Sequence, residues 1–477
     1  MFSHPSELSN GLEDIRIVWE FSHDVFMTEL CRGTRTRGRK RKGYKPQRIS
    51  RNSTNQINHL FSLEKQRSKM TYHPTVKKLK DELLREVDDL EEAVQYARSY
   101  DIPDLDKYGV ISAKGFLDFA NWLIQGWIPT ETTKGRDIYY IICIFYFVLA
   151  QEPLGSRQTP IHPDSVGKPL TPLSEWVVEF AQKVGEHLDQ PSSIQQASLL
   201  SFWNTPSFRL YEAKEPEGGW PTFNKFFYRE LKEGARHIAG EGDDRVITFP
   251  ADSTFAGAYL INEKSEVILK GLPWHVKDLI GEEWGNDFHD GIWMHCFLNT
   301  FDYHRQHAPV SGRVIKADVI HGAAYLEVVV KKDVQEGHRY LEPSRLIRDR
   351  KKVEDDQAKD GIHTVDAPDT PGYQFLQTRG RIIIENEKLG KVAILPIGMA
   401  QVSSVKVVPG LEGKEVTKGQ EISHFEFGGS DCVMLFEQKA RVSGFPNSKS
   451  ATHFFYGEKL ATAHPLEKHS KHACKAH

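Results

Sequence analysis

The sequence predicts an α+β protein, a helical N-terminal domain followed by a β-rich domain. Three observations carry that reading. From Met70 to about residue 205, apolar residues recur at helical spacing between charged ones. From about residue 246 onward, short β-branched runs alternate with Gly, Pro and Asp turns. Between them EAKEPEGGWPTF, 212–223, interrupts both patterns, and 477 residues suffice for two or more domains.

Residues 1–69 contain RGTRTRGRKRKGYKPQRISR, 32–51, with ten basic side chains and no acid. Such a composition cannot bury a core, so this segment reads as a disordered basic tail. Its RGRKRK core resembles a nuclear-localisation or nucleic-acid patch, although a solvated tail is the simpler reading. Residues 70–205 read as the helical domain, through MTYHPTVKKLKDELLREVDDLEEAVQYARSYDI, GFLDFANWLIQGWI and PLSEWVVEFAQKVGEHL. The run IYYIICIFYFVLA, 138–150, has 13 residues where a spanning helix needs about 20, so it reads as a buried core helix.

Residues 206–477 read as the second domain, with strands in GRVIKADVI, AAYLEVVVKK, RGRIIIENE, KVAILPIGMAQVSSVKVV and EISHFEF. Within it, the charged stretch 345–373 reads as a surface excursion that carries no chemistry.

Charge and cysteine usage narrow the function classes. Lys and Arg number 62 against 65 Asp and Glu, a formal net charge of -3, so no global field recruits nucleic acid. Five cysteines without a CxxC pair argue against a disulfide framework and for a reducing compartment, with the cytoplasm as the expected location. The first residues lack the basic-then-apolar pattern of a secretory signal.

The polar clusters of the β-rich half are few. Asp252 in FPADST closes a β-like run, as a turn aspartate would. In FDYHRQHAPVSG, His304 and His307 stand three residues apart; without an HExxH pattern or a cysteine pair they suit acid–base work better than metal, and no metal is expected. The C-terminal HSKHACKAH spaces His469, His472, Cys474 and His477 like ligands, but on a short charged tail that suits adventitious binding. In FEFGGSDCVMLFE, 425–437, two strand-like runs flank Gly428-Gly429, which offers the freedom of a hairpin turn. The turn explains the glycines and leaves the hydroxyl of Ser430 unexplained.

Five segments in order, FNKFFYRELKEGARHI (223–238), PADST (250–254), ILKG (268–271), DYHRQHAPVSG (302–312) and KGQEISHFEFGGSD (418–431), resemble the motifs of the pyruvoyl-dependent phosphatidylserine decarboxylases. The resemblance covers about residues 206–440. The helical region ahead of it looks like the extra N-terminal domain of a fungal subgroup that includes a soluble L-tryptophan decarboxylase.

That resemblance implies a carboxy-lyase that cuts itself between Gly429 and Ser430 and carries a covalent pyruvoyl group made from Ser430, its two fragments remaining partners. In the implied processing, the Ser430 hydroxyl attacks the Gly429 carbonyl, with His307 as base and Asp252 orienting it. Elimination from the resulting ester leaves the pyruvoyl end, whose ketone serves as an electron sink for loss of carbon dioxide. His304 is the implied proton donor or carboxylate-positioning group.

The chain departs from the family pattern at Asp431, where threonine or serine is usual, at Ser253, where glycine commonly follows the aspartate, and at His237, where proline is usual. A carboxylate beside the nucleophile could slow cleavage or assist it as an extra base. Rival readings are a serine hydrolase, which lacks the GxSxG elbow, a biotinyl or lipoyl carrier, which lacks a lysine at the turn, and a processing-dead scaffold. Without a visible membrane anchor, the expected substrate is a free aromatic L-amino acid, with phosphatidylserine as the alternative.

Overall fold

Helical periodicity becomes helix wherever a cap and an apolar stripe coincide. The computed structural model describes residues 71–84, 87–269, 271–333, 337–343, 362–363, 372–400, 405–447 and 452–466. All belong to the compact unit formed by residues 59–477. The basic tract 32–51 and the C-terminal cluster of His469, His472, Cys474 and His477 lie outside the described residues.

The main helices are α1 (Val87–Arg98), α2 (Ala113–Gln125), α3 (Asp137–Leu149), α4 (Pro172–Leu188), α5 (Gln196–Trp203) and the short α6 (Phe223–Phe227). Ser112 caps α2 by accepting from the Gly115 N–H, and Thr171 caps α4 ahead of Pro172, whose missing N–H costs nothing at that position. The apolar run at 138–150 is α3, and its side chains from Ile141 to Leu149 are all buried. Phe145 of α3 stacks on Phe180 of α4 with ring centroids 4.4 Å apart. No helix among the described residues is long and apolar enough to cross a membrane.

Strands follow, named here as β1 (Val246–Thr248), β2 (Ser253–Leu260), β3 (Ile292–Leu298), β4 (Arg305–His307), β5 (Gly312–Ile320), β6 (Ile362–His363), β7 (Arg379–Asn386), β8 (Gly390–Met399), β9 (Val405–Val407), β10 (Glu415–Val416), β11 (Glu421–Phe425), β12 (Gly429–Phe436), β13 (His453–Phe454) and β14 (Lys459–Thr462). A nine-stranded sheet runs β6-β2-β3-β12-β8-β7-β5-β10, with β13 also on β2. A second sheet runs β9-β11-β4, and β14 pairs with β1. The fold is α+β.

Strand β12 lies inside the large sheet, antiparallel to β3 with Cys432 opposite Cys296 and antiparallel to β8 with Ser430 opposite Gly398. Because strand side chains alternate, the even residues Cys432, Met434 and Phe436 join one core, with Met294 and Cys296. The odd residues Val433 and Leu435 join another, with Trp293 and Leu395. Burial on both faces accounts for the unbroken apolar run CVMLF.

One expectation fails here. The segment around Gly428-Gly429 is no hairpin, because β11 pairs with β9 and β4 while β12 pairs with β3 and β8. The chain instead crosses from one sheet to the other, and Gly428, at φ 149°, supplies a backbone angle that side chains resist. The expected surface excursion 345–373 lies mostly outside the described residues, but Ile362–His363 pairs in parallel with Ala258–Tyr259, and Tyr373 is buried.

Candidate active site

Ser430 opens β12 immediately after the crossover, and its position follows from the ladder. It faces Leu298 on β3, which packs with Ala251 and Phe425, so the Asp252 turn and the end of β11 gather on that side. Ser430 is fully buried, and its Oγ has no hydrogen-bond partner among the described residues. A buried hydroxyl without a partner is costly, and such groups mark places where function outweighs stability.

His307 ends β4. Its Nδ1 lies 2.7 Å from the Gly419 carbonyl, which fixes Nδ1 as the donor and leaves Nε2 as the acceptor; Nε2 lies 3.1 Å from the Tyr303 hydroxyl, which donates to it. The Tyr456 ring stacks on the imidazole at 3.7 Å between centroids. Burial pushes the pKa of His307 down to about 4, so the ring is neutral at pH 7, with its Nε2 lone pair engaged by the Tyr303 hydroxyl.

Asp252 does not bond to His307 here, contrary to the orienting role that the resemblance implied. Its carboxylate takes Arg236 Nε at 3.2 Å and Nη2 at 2.5 Å, and the Tyr456 N–H at 2.9 Å. Arg236 also reaches Glu212 at 2.8 Å. Burial pushes the Asp252 carboxyl up, and Arg236 opposes that; the two carboxylates hold Arg236 firmly charged, so we read the cluster as ionised. Asp252 thus reaches His307 indirectly, by holding the backbone of the residue whose ring covers the imidazole.

His304 lies elsewhere. Its ring stacks on Phe227 of α6 at 3.8 Å, and its carbonyl accepts from the Phe425 N–H. Phe227 also meets Phe427 at 5.2 Å, so His304 sits beside the crossover that leads to Ser430, whereas His307 sits against Tyr456. The segments that carry Ser430, His307, Asp252 and His304 adjoin one another, but no hydrogen bond joins Ser430 to the other three and no triad is closed.

Arg236, Gly419, Tyr303 and Tyr456 escape sequence reasoning, as does a pair formed by Asp302 and His453, 2.8 Å apart. Burial disfavours charge on His453, yet the Asp302 carboxylate outweighs it and holds the imidazole above its ordinary range. Tyr303 and Asp302 adjoin His304 in DYHRQH, a signal that could have drawn attention to them; HFFYG, which carries His453 and Tyr456, offers none. Among the described residues no group of three or more His, Cys, Asp or Glu could hold a metal ion.

The family model for phosphatidylserine decarboxylase matches residues 223–462, half of the chain and every residue of this arrangement except Glu212. The chain belongs to the phosphatidylserine decarboxylase family. It is 27% identical over 271 residues to phosphatidylserine decarboxylase proenzyme 2 of Oryza sativa subsp. japonica, an alignment covering 57% of this chain and 38% of that protein. Against the phosphatidylserine decarboxylase proenzyme of Fusobacterium nucleatum it is 27% identical over 294 residues, 60% of this chain and 82% of the relative. Against decarboxylase iboD of Amanita muscaria it is 26% identical over 245 residues, 50% and 64% of the two chains.

Proenzymes of the phosphatidylserine decarboxylase family depend on a serine-derived pyruvoyl group, and the residues present fit one. Ser430 follows two glycines, its hydroxyl is buried and unclaimed, and the strand that carries it is held from both sides. Asp431 is not beside that hydroxyl as the sequence suggested. Strand alternation turns it to the opposite face, where His295 Nε2 lies 2.9 Å from Oδ2 and the Tyr373 hydroxyl donates to the same oxygen. An extra-base role for Asp431 therefore has no geometric support.

Proposed function

We propose that this chain is a self-cleaving pyruvoyl-dependent decarboxylase acting on a free aromatic L-amino acid. The observation that carries the reading is the buried, unpartnered Ser430 hydroxyl directly after Gly428-Gly429 in the family-matched segment. His307 Nε2, on giving up its contact with the Tyr303 hydroxyl, takes the Ser430 proton while Oγ bonds to the Gly429 carbonyl carbon; the peptide C–N bond breaks to leave an ester. β-Elimination then releases the Gly429 carboxylate and leaves dehydroalanine at residue 430, and water replaces its nitrogen, lost as ammonia, with the ketone oxygen, giving fragments 1–429 and 430–477. The pyruvoyl group at residue 430 supplies the electron sink for decarboxylation. His304, stacked on Phe227 at the crossover, holds or delivers the proton required at the substrate carbon.

Support for a small substrate comes from a cavity of about 470 Å³ lined by His237, Phe454, Phe455, Tyr456, Glu458 and Lys459, which adjoins His307 through the Tyr456 ring but is lined by neither Ser430 nor His304, and whose size is usual for small-molecule sites, about 300–1,000 Å³. Its aromatic walls suit an aromatic ring, while the Arg236 guanidinium is taken by Asp252 and Glu212. A cytoplasmic setting belongs to the same reading, since the five cysteines include no CxxC pair. Phosphatidylserine is the second reading: relatives carry its name, and Leu200, Trp203 and Tyr211 expose apolar surface near one another in sequence, as a lipid-docking face would.

Intact-mass analysis tests the cleavage: two fragments are expected, the smaller reacting with hydroxylamine, whereas Ser430→Ala gives one chain. An active uncut chain overturns the pyruvoyl reading, and an inactive uncut chain installs the scaffold. Amine formed from an amino-acid panel without lipid supports the substrate assignment; ethanolamine lipid formed only from phosphatidylserine vesicles replaces it.

A further inference from the structure

Asp431 is the first residue after the proposed cut, and its surroundings are unusual for an interior. Asp431, His295 and Tyr373 are all essentially inaccessible, with exposures of 0%, 0% and 1%. They sit on the sheet face opposite Ser430, with His295 on the neighbouring strand β3 and Tyr373 in the turn at 373–375. Trp293 lies parallel to His295 at 5.8 Å, closing the apolar wall around the group. A carboxylate in such a place is expensive unless it is paired, and here two donors converge on one oxygen.

Cutting the chain at 429–430 divides this cluster. His295 and Tyr373 stay with the large fragment, and Asp431 goes with the small one. We propose that the cluster is a clamp across the cut, making Asp431 a positioning residue that keeps the new end of β12, and hence the group formed at residue 430, in its place in the sheet. This rests on the self-cleavage reading above.

The physical need is plain. Before the cut, Gly429 continues the strand and pairs opposite Met399, so residue 430 is held from both directions along the chain. After it, residue 430 becomes a terminus, and chain ends fray unless side chains tie them down. Residue 430 itself loses its serine side chain in forming the reactive group, so the first side chain able to anchor the end is that of Asp431. The amide nitrogen of Asp431 is also the nitrogen of the pyruvoyl amide, so a displacement of Asp431 passes directly to the reacting carbonyl. The same alternation that removes Asp431 from the chemistry lets it hold the strand from behind.

The clamp should therefore matter after scission and not before it, which a structural role alone would not require. Hydrogen exchange over residues 431–436 is measured in cleaved Asp431→Ala enzyme and in the uncut Ser430→Ala/Asp431→Ala chain, each against its parent, together with kcat and KM. Loss of the clamp raises exchange about tenfold in the cleaved form alone, and lowers kcat about tenfold while KM changes less than about threefold. Tyr373→Phe, which removes one hydroxyl and little else, shows the same pattern at smaller size and serves if Asp431→Ala does not fold. Equal exchange changes in cut and uncut chains, or an unchanged kcat in both variants, overturns the clamp. Failure of the parent enzyme to cleave rejects the self-cleavage reading and the clamp with it; parent cleavage with indifferent variants rejects the clamp alone.

Discussion

The protein keeps His307, the proposed base, dry. With its pKa pushed down to about 4, the imidazole stays neutral through the physiological range, so self-cleavage should hold its rate from pH 8 to about pH 5 and fall as pH approaches 4. A stopped time course of fragment formation by mass spectrometry, across buffers, checks this; a decline centred near 6.5 would show an ordinary exposed histidine. Stability follows with a defined sign. Between about 6.5 and 4 the unfolded chain binds a proton that the folded one refuses, so this group removes stability as pH falls through that window, by at most about 1.4 kcal/mol per pH unit. Tyr456 gives a second prediction. Tyr456→Leu keeps Ser430, His307 and Asp252 yet removes the ring that covers the imidazole, and fragment formation should slow about tenfold or more, because small misplacements of catalytic groups are costly. An unchanged rate would mean that the Gly419 carbonyl suffices to hold His307. Ser430, His307, Asp252 and His304 were singled out through the resemblance of five ordered segments to a family, because a serine after glycines or an aspartate at a turn is common and carries little signal alone. Tyr456, Arg236 and Gly419 were not, since they act through a ring face, a fork across distant segments and a backbone oxygen, and none of these leaves a local pattern.

At the level of elements, helices were legible and strand partners were not. Helix α3 could be read from its uninterrupted apolar run because its hydrogen bonds are internal to it. The strands on either side of Gly428-Gly429 were found, but pairing depends on segments far away in sequence: β11 finds β4 and β12 finds β3, leaving a crossover where a hairpin was expected. That crossover is braced by the helical region. Phe427 meets Trp127 at 5.2 Å, Phe223 at 5.5 Å and Phe227 at 5.2 Å, and its N–H donates to Asn224 Oδ1 at 3.0 Å. Phe427→Ala should lower stability by about 3–5 kcal/mol through the void it leaves, and should also slow cleavage, since the brace stands three residues from Ser430. Denaturant titration of the uncut Ser430→Ala background separates the two effects. Normal cleavage at reduced stability would show that the helices support the fold and not the site.

For the molecule as a whole, the decisive feature is where the small fragment lies. It contributes β12, which has neighbours on both sides in the large sheet, together with β13 and β14. Residues Cys432 to Phe436 are fully buried, and each large apolar side chain among them holds about 1.5–3 kcal/mol in transfer free energy. The cleaved protein should therefore run as one particle in native mass spectrometry and separate into 1–429 and 430–477 only in denaturant; free small fragment under native conditions would contradict the sheet order. The same placement dictates a history. A strand enclosed on both flanks is seated while the sheet forms, and on the proposed mechanism the bond to be cut becomes reactive only once His307 and the crossover have been built around it. Folding comes first and scission second. Two separately expressed pieces should stay inactive even when they meet, because a chain that begins at Ser430 starts with an ordinary amine and no Gly429 carbonyl to attack. On the proposed self-cleavage, maturation works as an inspection step: a molecule that failed to fold cannot arm itself, and the severed bond is a permanent record that the molecule passed.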